Sequence, residues 1–291
     1  MFDIETYLNS LPEDTEHITV SYKGITSLDV RRFKNLKILN CNNNQLTSLQ
    51  LNENLESLRC NNNQLTSLQL NKNLETLYCS HNKLTSLQLN ENLETLYCSH
   101  NQLTYLHLNE KLEYLYCYHN QLTYLHLNKN LQDLSCDNNK LTSLQLNAKL
   151  EVLYCSCNQL TSLQLNENLQ DLSCKNNKLT YLHLNKNLQD LFCDNNQLTS
   201  IHLNEKLKLK IISYYNNPIS EIIGVKVCPI KQLKILNNFC FLYYCLKFKK
   251  QFRDLLWVKI REPKIRKKYS HDYLVKNLHE DTDLDNLLEN W

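Results

Sequence analysis

One 19-residue phrase, written nine times without insertion or deletion over residues 36–206, constrains this chain more than any other feature. The phrase is L-x-x-L-x-C-x-x-N-x-L-T-x-L-x-L-N-x-x. Its cysteine returns every 19 residues, at Cys41, Cys60, Cys79, Cys98, Cys117, Cys136, Cys155, Cys174 and Cys193. A fixed period of this kind indicates similar coils that stack, each burying its apolar face against its neighbours. We number the coils one to nine, so that coil one begins at Leu36.

Each coil is too short for a helical hairpin. Within L-x-x-L-x-C the apolar residues are three and then two residues apart, which predicts a chain that enters a short strand and points alternate side chains inward. After one strand and two turns, the remaining residues suffice for an extended or 3₁₀-like return segment but not for three turns of α-helix. We therefore predict a parallel repeat solenoid in which six positions of each coil point inward.

The phrase resembles the hallmark of the leucine-rich repeat family, L-x-x-L-x-L-x-x-N-x-L, with Cys at the third apolar position. The resemblance covers residues 15–224. It implies a leucine-rich repeat horseshoe with a parallel β-sheet on the concave face and an extended or 3₁₀ convex side. It also implies that the Asn three residues after each Cys is structural, its amide satisfying backbone groups in the turn. These residues are Asn44, Asn63, Asn82, Asn101, Asn120, Asn139, Asn158, Asn177 and Asn196.

Three parts are predicted along the chain. Residues 1–17 carry apolar side chains at helical spacing and should form an N-terminal helical cap. Residues 18–224 form the solenoid, with an irregular repeat at each end of the nine regular coils. Residues 225–291 should form a small helical C-terminal cap, basic over 225–268 and acidic over 269–291. The acidic N-terminus does not match a signal peptide, so we expect an intracellular protein that is not secreted.

Turns must form with very little glycine, since the chain has only two glycines. Asn tolerates left-handed backbone geometry better than most residues. We therefore expect the two asparagine columns of the phrase, which begin at Asn44 and Asn52, to supply the turn residues.

The thirteen cysteines invite a metal or a disulfide interpretation. Nine of them would stack in a line about 4.8 Å apart, which cannot surround a zinc ion tetrahedrally. Neighbouring Cα atoms at that spacing fall within disulfide range, so distance alone leaves bridges open. A reducing cytosol favours buried free thiols that pack as small hydrophobes. Cys157 differs because it occupies an outward position. We expect no metal and no cofactor.

Outward strand positions should carry the function. The residue before each Cys gives an aromatic column, histidines follow the Cys by two residues in coils three to five, and aspartates gather toward the C-terminal coils. Tyrosine-rich surfaces are typical of protein recognition. The predicted partner-binding residues are Tyr78, Tyr97, Tyr116, Tyr154, Phe192, His81, His100, His119, Asp133, Asp171, Asp190 and Asp194. Nearly verbatim copies such as LETLYCSH leave open that these columns record duplication rather than selection.

A second tyrosine and histidine pattern lies on the return segments. Tyr105 with His107, Tyr124 with His126, and Tyr181 with His183 replace the commoner Ser and Gln pair. We interpret these residues as a solvated convex edge rather than as a metal site.

The sequence predicts a non-enzymatic scaffold for protein–protein interaction. It has no glycine-rich phosphate loop and no H-E-x-x-H or G-x-S-x-G element. We expect a monomer that binds a protein partner on its concave face, has no transmembrane segment and does not take nucleic acid as its main partner. Two alternatives depend on residues 225–291: an adaptor that recruits a host ubiquitin or degradation machine through C-terminal helices, or nucleic-acid or membrane association through the basic block 225–268.

The C-terminal tail, REPKIRKKYSHDYLVKNLHEDTDLDNLLENW, resembles tails of proteins encoded by giant DNA viruses of amoebae, the mimivirus-like viruses. That resemblance implies a viral protein that acts in the cytoplasm of an amoebal host.

Overall fold

The computed structural model describes residues 2–202 and 208–221. These residues belong to the first of the two units into which the chain divides, Met1–Asn237. The second unit, Asn238–Trp291, lies outside the described residues. The predicted helical C-terminal region, 225–291, is therefore also outside them, and its two alternative functions stay predictions.

Two short helices and fifteen three-residue strands make up the described part of the chain. In chain order they are α1 (Ile4–Asn9), β1 (His17–Thr19), β2 (Ser27–Asp29), β3 (Ile38–Asn40), β4 (Ser48–Gln50), β5 (Ser57–Arg59), β6 (Thr76–Tyr78), β7 (Thr95–Tyr97), β8 (Tyr114–Tyr116), β9 (Asp133–Ser135), β10 (Val152–Tyr154), β11 (Asp171–Ser173), β12 (Tyr181–His183), β13 (Asp190–Phe192), β14 (Ser200–His202), β15 (Ile211–Ser213) and α2 (Pro218–Glu221).

Eleven of these strands form one parallel sheet, in the order β1-β3-β5-β6-β7-β8-β9-β10-β11-β13-β15. Each regular coil contributes one strand, and partners along the sheet are 19 residues apart, as with Tyr78, Tyr97 and Tyr116. At the two ends the offset is 21 residues, because His17 pairs with Ile38 and Asp190 pairs with Ile211. The predicted parallel solenoid is confirmed, and residues at one position of the phrase form rows across the sheet.

The return segments are extended, and no 3₁₀ helix occurs in residues 2–202 and 208–221. Two pairs of short strands form there, β2 with β4 and β12 with β14, both parallel. The sequence predicted either an extended or a 3₁₀ convex side, and the structure has the extended form.

Five apolar positions of each coil, rather than the predicted six, form the core. In coil four they are Leu93, Leu96, Cys98, Leu103 and Leu106, all buried. The sixth position, just before the second Asn of the phrase, lies at a bend and stays partly exposed in most coils. Its buried members are Leu127 and Leu184. Each buried leucine contributes about 1.5–3 kcal/mol, and the neighbouring coils supply its contacts.

The nine repeat cysteines are all buried, with free thiols, in a row behind the sheet. Burial raises the pKa of Cys41 and of Cys98 to about 12, because a thiolate there would lose its hydration. Cys157 is partly exposed, as its outward position predicts.

The residues with left-handed backbone geometry are not the ones that the sequence predicted. Neither Asn44 nor Asn52 adopts it. The residue two places after each Cys has φ near +55° in every regular coil, and it is Asn, His or Cys: Asn43, Asn62, His81, His100, His119, Asn138, Cys157, Asn176 and Asn195. Asn and His are enriched in this region of backbone space, since their short polar side chains tolerate it. The residue two places after each Cys, which varies between coils, therefore forms the turn.

The Asn three places after each Cys connects successive coils. The Asn101 Nδ2 group donates to the carbonyls of Cys79 and Cys98, at 3.0 and 3.1 Å. Its Oδ1 accepts the N–H of Leu84, in the preceding coil, at 2.9 Å. The same bonds recur from Asn63 to Asn196. Buried backbone groups at the turn are thus satisfied by one side chain per coil.

The second Asn column works similarly on the other side of the coil. The Asn90 Nδ2 group donates to the carbonyls of Asn71 and Leu74, at 2.7 and 2.8 Å. Both asparagine columns therefore bond to the backbone of neighbouring coils, while the Oδ1 atoms of Asn52, Asn71 and Asn90 have no hydrogen-bond partner among the described residues.

Replacing Asn101 with Ala should lower the free energy of unfolding by about 2–3 kcal/mol, because the Leu84 N–H loses its buried partner and the carbonyls of Cys79 and Cys98 each keep only one asparagine donor. Urea denaturation followed by circular dichroism measures the change. The neighbouring variant Gln102→Ala removes an exposed side chain and should stay within about 0.5 kcal/mol of the parent. Equal losses in the two variants would contradict the structural role of Asn101.

Cys155 and Cys157 provide a matched pair, since they are two residues apart with one buried and one partly exposed. Burial raises the pKa of Cys155 well above its ordinary value, so this thiol should not react in the folded protein. We expect brief treatment with a maleimide, followed by peptide mass mapping, to label Cys157 and spare Cys155. Equal labelling in the native state would show that the coil opens.

Candidate functional site

Three tyrosines form a continuous stack on the outward side of the sheet. Tyr78, Tyr97 and Tyr116 end strands β6, β7 and β8 and are in register. Their ring centroids are 4.6 and 4.3 Å apart, with interplanar angles of 15° and 9°. The guanidinium of Arg59 lies 5.2 Å from the Tyr78 ring centroid, at the open end of the stack. The rings are partly exposed and present a rigid aromatic surface.

The other two aromatic residues of the predicted site stand apart from this stack. Ser135 lies between Tyr116 and Tyr154 along the sheet, and Ser173 lies between Tyr154 and Phe192. The Lys175 Nζ atom lies 4.7 Å from the Phe192 ring centroid. The predicted aromatic column is therefore one continuous block of three rings followed by two separate ones.

Three histidines of the same three coils form a second stack. The centroids of His81 and His100 are 4.1 Å apart, and those of His100 and His119 are 4.3 Å apart. Tyr118 meets His100 edge-on at 5.3 Å. All three histidines occupy the left-handed turn position, which gives them a structural reason to be there as well as a surface role.

Burial lowers the pKa of His100, and the charges that His81 and His119 can carry lower it further. The imidazole therefore stays neutral to a lower pH than an isolated histidine does. At neutral pH the His100 ring in the middle of the stack is therefore uncharged.

The aspartates of the sheet are connected to the tyrosines. The Tyr116 hydroxyl donates to Asp133 Oδ2 at 2.6 Å, and the Tyr154 hydroxyl donates to Asp171 Oδ2 at 2.7 Å. Burial raises the pKa of Asp133, and the bond from Tyr116 opposes that rise. The aspartate and tyrosine positions thus form one connected surface.

The second carboxylate oxygen of each sheet aspartate has a different environment. The Oδ1 atoms of Asp133, Asp171 and Asp190 are buried and have no hydrogen-bond partner among the described residues. Asp171 and Asp190 are direct neighbours across β11 and β13. This part of the sheet therefore has unused acceptor capacity next to repelling charges.

Asp194 has a different environment from the other predicted site residues. It is 8% exposed. Its Oδ1 accepts the N–H of Tyr215 at 2.8 Å and the hydroxyl of Ser213, and its Oδ2 lies 3.3 Å from Lys175 Nζ. Asp137 accepts the N–H of Ser156 from the same position of its coil. Because the carboxylate of Asp194 bonds to groups of the solenoid itself, we leave Asp194 out of the proposed site.

Sequence reasoning missed a row of glutamates at the edge of the sheet. Glu75, Glu94 and Glu113 immediately precede strands β6, β7 and β8, in the coils that carry the two ring stacks. Their side chains have no hydrogen bond or ion pair within the described part of the chain. The glutamate at the second residue of these coils is visible in the sequence. The three charges form a row only when the coils stack in register.

A groove of about 850 Å³ lies on the return side of coils four to six. Its lining includes Tyr105, His107, Tyr124 and His126, with Leu127 among the apolar residues. Tyr105 and Tyr124 are 59% and 61% exposed, more than any tyrosine of the sheet stack. This groove therefore presents the same residue types as the sheet stacks, on the return side of the solenoid.

Within residues 2–202 and 208–221, no group of three or more His, Cys, Asp or Glu residues could hold a metal ion. No helix in that part of the chain has both the length and the apolar character needed to cross a membrane.

Replacing His100 with Asn should make stability less sensitive to acid. The pKa of His100 is lowered by folding, so the unfolded chain binds more protons and stability falls as the pH drops below about 6.5. Asn occupies the same left-handed position in other coils, so the variant should fold. Thermal unfolding between about pH 7.5 and about pH 5 should show a smaller drop in Tm than for the parent.

The exposed His107 supplies the control. His107→Gln copies the residue found at that position in most other coils, and it should leave the pH dependence of Tm unchanged. An unchanged pH dependence in His100→Asn would contradict the role of the stack.

Comparison with known proteins supports the fold independently. A family model described as Leucine Rich repeats (2 copies) matches residues 53–91. No curated protein sequence matches the chain significantly.

Several solved structures are similar to the chain. YopM from Yersinia enterocolitica WA-314 is 28% identical, with a TM-score of 0.62 over 70% of this chain and 49% of that one. The functional domain of InlJ from Listeria monocytogenes, described as including a cysteine ladder, is 30% identical, with a TM-score of 0.59 over 69% and 53% of the two chains. YopM from Yersinia pestis, described as a leucine-rich effector protein, is 26% identical, with a TM-score of 0.54 over 72% and 74%.

The chain spans about half the length of the first two of these structures. The repeated phrase, the parallel sheet and the matches agree. The chain carries leucine-rich repeats and folds as a leucine-rich repeat solenoid with its parallel sheet on the concave face.

Proposed function

We propose that the chain is a non-enzymatic scaffold that binds a protein partner on the concave face of coils three to five. The observation that carries this proposal is the pair of ring stacks, Tyr78–Tyr97–Tyr116 and His81–His100–His119, which form in the same three coils. Stacked rings on paired strands lose little conformational freedom on binding, which favours them as anchors for a partner.

The surface extends toward the C-terminal coils. The same face continues with Tyr154, Phe192, Asp133, Asp171 and Asp190, whose side chains are all partly exposed. Solenoids use such extended concave faces for binding. The similar structures include a leucine-rich effector protein, which is compatible with a scaffold role for this chain.

The setting of this function is part of the proposal. The resemblance of the C-terminal tail to proteins of giant DNA viruses of amoebae supports a viral protein that acts as a monomer within the host cell, with a host protein as its partner. The alternatives that use residues 225–291, recruitment of a degradation machine or association with nucleic acid or membrane, remain open predictions.

Affinity capture from lysate of an amoebal host tests the proposed face. The variant Tyr78→Ala/Tyr97→Ala removes two rings of the stack, and it should reduce capture of the partner at least tenfold, since anchoring aromatic residues contribute about 2 kcal/mol or more each. Captured proteins are identified and quantified by mass spectrometry. Circular dichroism and thermal unfolding confirm that each variant folds.

The matched control removes two tyrosines from the opposite side. Tyr105→Ala/Tyr124→Ala changes the same residue type in neighbouring coils, and most other coils carry Ser at this position, so the fold should persist. We expect this variant to capture the partner as the parent does. Equal capture by all three proteins would show that the stacked rings are duplication relics, and loss only in the control would move the site to the return face.

A further inference from the structure

The chemistry of the partner can be inferred from the edge of the same sheet, an inference that rests on the proposed function. The second residue of each coil forms a row along the strand starts. At the N-terminal end of this row, Lys37 forms an ion pair with Glu56. At the C-terminal end, Gln170 donates to Glu151 at 3.0 Å, Gln189 donates to Gln170 at 3.0 Å, and Lys210 donates to Gln189. Both ends of the row are therefore satisfied internally.

The middle of the row is different. The side chains of Glu75, Glu94 and Glu113 have no hydrogen bond or ion pair in residues 2–202 and 208–221, and the strands that follow them are direct neighbours in register. Strand spacing places successive members of the row about 4.8 Å apart. Like charges directly opposite each other on paired strands destabilise the folded state. A bound cationic group would relieve this repulsion.

The acidic character continues beyond these three coils. Each of coils two to nine carries one carboxylate at either the second or the third residue, as Glu56, Glu75, Glu94, Glu113, Asp133, Glu151, Asp171 or Asp190. Where Asp occupies the third position, Gln replaces Glu at the second, as in Gln132–Asp133. The result is an acidic stripe with one charge per coil along the strand starts.

The aromatic rings beside the stripe already accept cations within the chain. The guanidinium of Arg59 lies over Tyr78, and the ammonium of Lys175 lies over Phe192. Arg59 and the stacked rings cover the faces of Tyr78 and Tyr97, so a Lys or Arg side chain of a partner would lie along the ring edges. Lysine and arginine also place their apolar stems along rings while their charged ends reach a carboxylate.

We propose that the occupant of the concave face is a protein segment rich in Lys and Arg. Its charged ends lie against Glu75, Glu94 and Glu113, and its stems lie on the stack of Tyr78, Tyr97 and Tyr116. Charge complementarity of this kind sets partner choice and steers association. The stripe would repel an acidic partner of similar shape.

Selection from a phage-displayed library of random linear peptides, with the full chain immobilised, tests this proposal. We expect the recovered peptides to be enriched in Lys and Arg over the unselected library. The affinity of a recovered basic peptide should fall about tenfold for Glu75→Gln/Glu94→Gln/Glu113→Gln at physiological ionic strength. Other coils carry Gln at this position, so the variant should fold.

A variant of equal net charge provides the control. Glu53→Gln/Glu91→Gln/Glu167→Gln removes three exposed carboxylates from the turn that precedes the strands, and it should keep the affinity within about twofold. An equal loss in both variants would mean that bulk charge alone attracts the peptide, which overturns the proposal. Recovery of no peptide, or of peptides without Lys and Arg enrichment, also overturns it.

The Tyr78→Ala/Tyr97→Ala variant separates this inference from the proposed function. Neutral peptides that bind the parent and are lost with this variant would refute the basic partner and leave the concave binding face in place. Peptides that bind all variants equally would refute both.

Discussion

The hydrogen bonds of the asparagine that follows each cysteine by three residues hold the solenoid in register. One amide donates to the cysteine carbonyls of its own coil and of the preceding coil, and its oxygen accepts a backbone N–H from the preceding coil, as Asn101 does with Cys79, Cys98 and Leu84. Buried turns cannot be hydrated, so each turn depends on this amide. A shift of one residue between coils would break every such bond and would also turn inward leucines to the surface.

Strict register converts single positions into rows, and the rows produce the chemistry of the face. A tyrosine that recurs at 19-residue intervals becomes a stack with 4.3–4.6 Å between centroids. A glutamate that recurs in the same way becomes a line of like charges. The backbone permits no sideways adjustment, so favourable contacts and repulsions are both repeated along the solenoid. A partner of the proposed kind that matches one coil would also match the neighbouring coils that carry the same residues.

The sequence predicted the solenoid, the inward leucines and cysteines, and the outward tyrosines, because all of these follow from period and alternation. It missed features that depend on where the chain bends. The left-handed residue could not be located from composition, since Asn occurs at three positions of many copies and only backbone geometry separates Asn43 from Asn44. The partial exposure of the sixth apolar position has the same origin. The contacts from Tyr116 to Asp133 and from Tyr154 to Asp171 join different positions of neighbouring coils, so no single column reveals them.

The distribution of carboxylates bears on whether the face is a relic of duplication. Simple copying of one coil would repeat the same residue. Here the acidic residue is Glu at the second position in some coils and Asp at the third position in others. The coils with Asp at the third position have Gln at the second. Two of the three aspartates follow a coil whose tyrosine donates to them, while Asp190 follows Ser173. Copying a block of two coils could reproduce each tyrosine and aspartate pair, and a copy of coil six, LQDLSCDNN, could supply Asp190 in LQDLFCDNN of coil nine. Each of coils two to nine keeps one negative charge at the strand start. A partner that binds through cationic groups along the sheet would require this charge in successive coils.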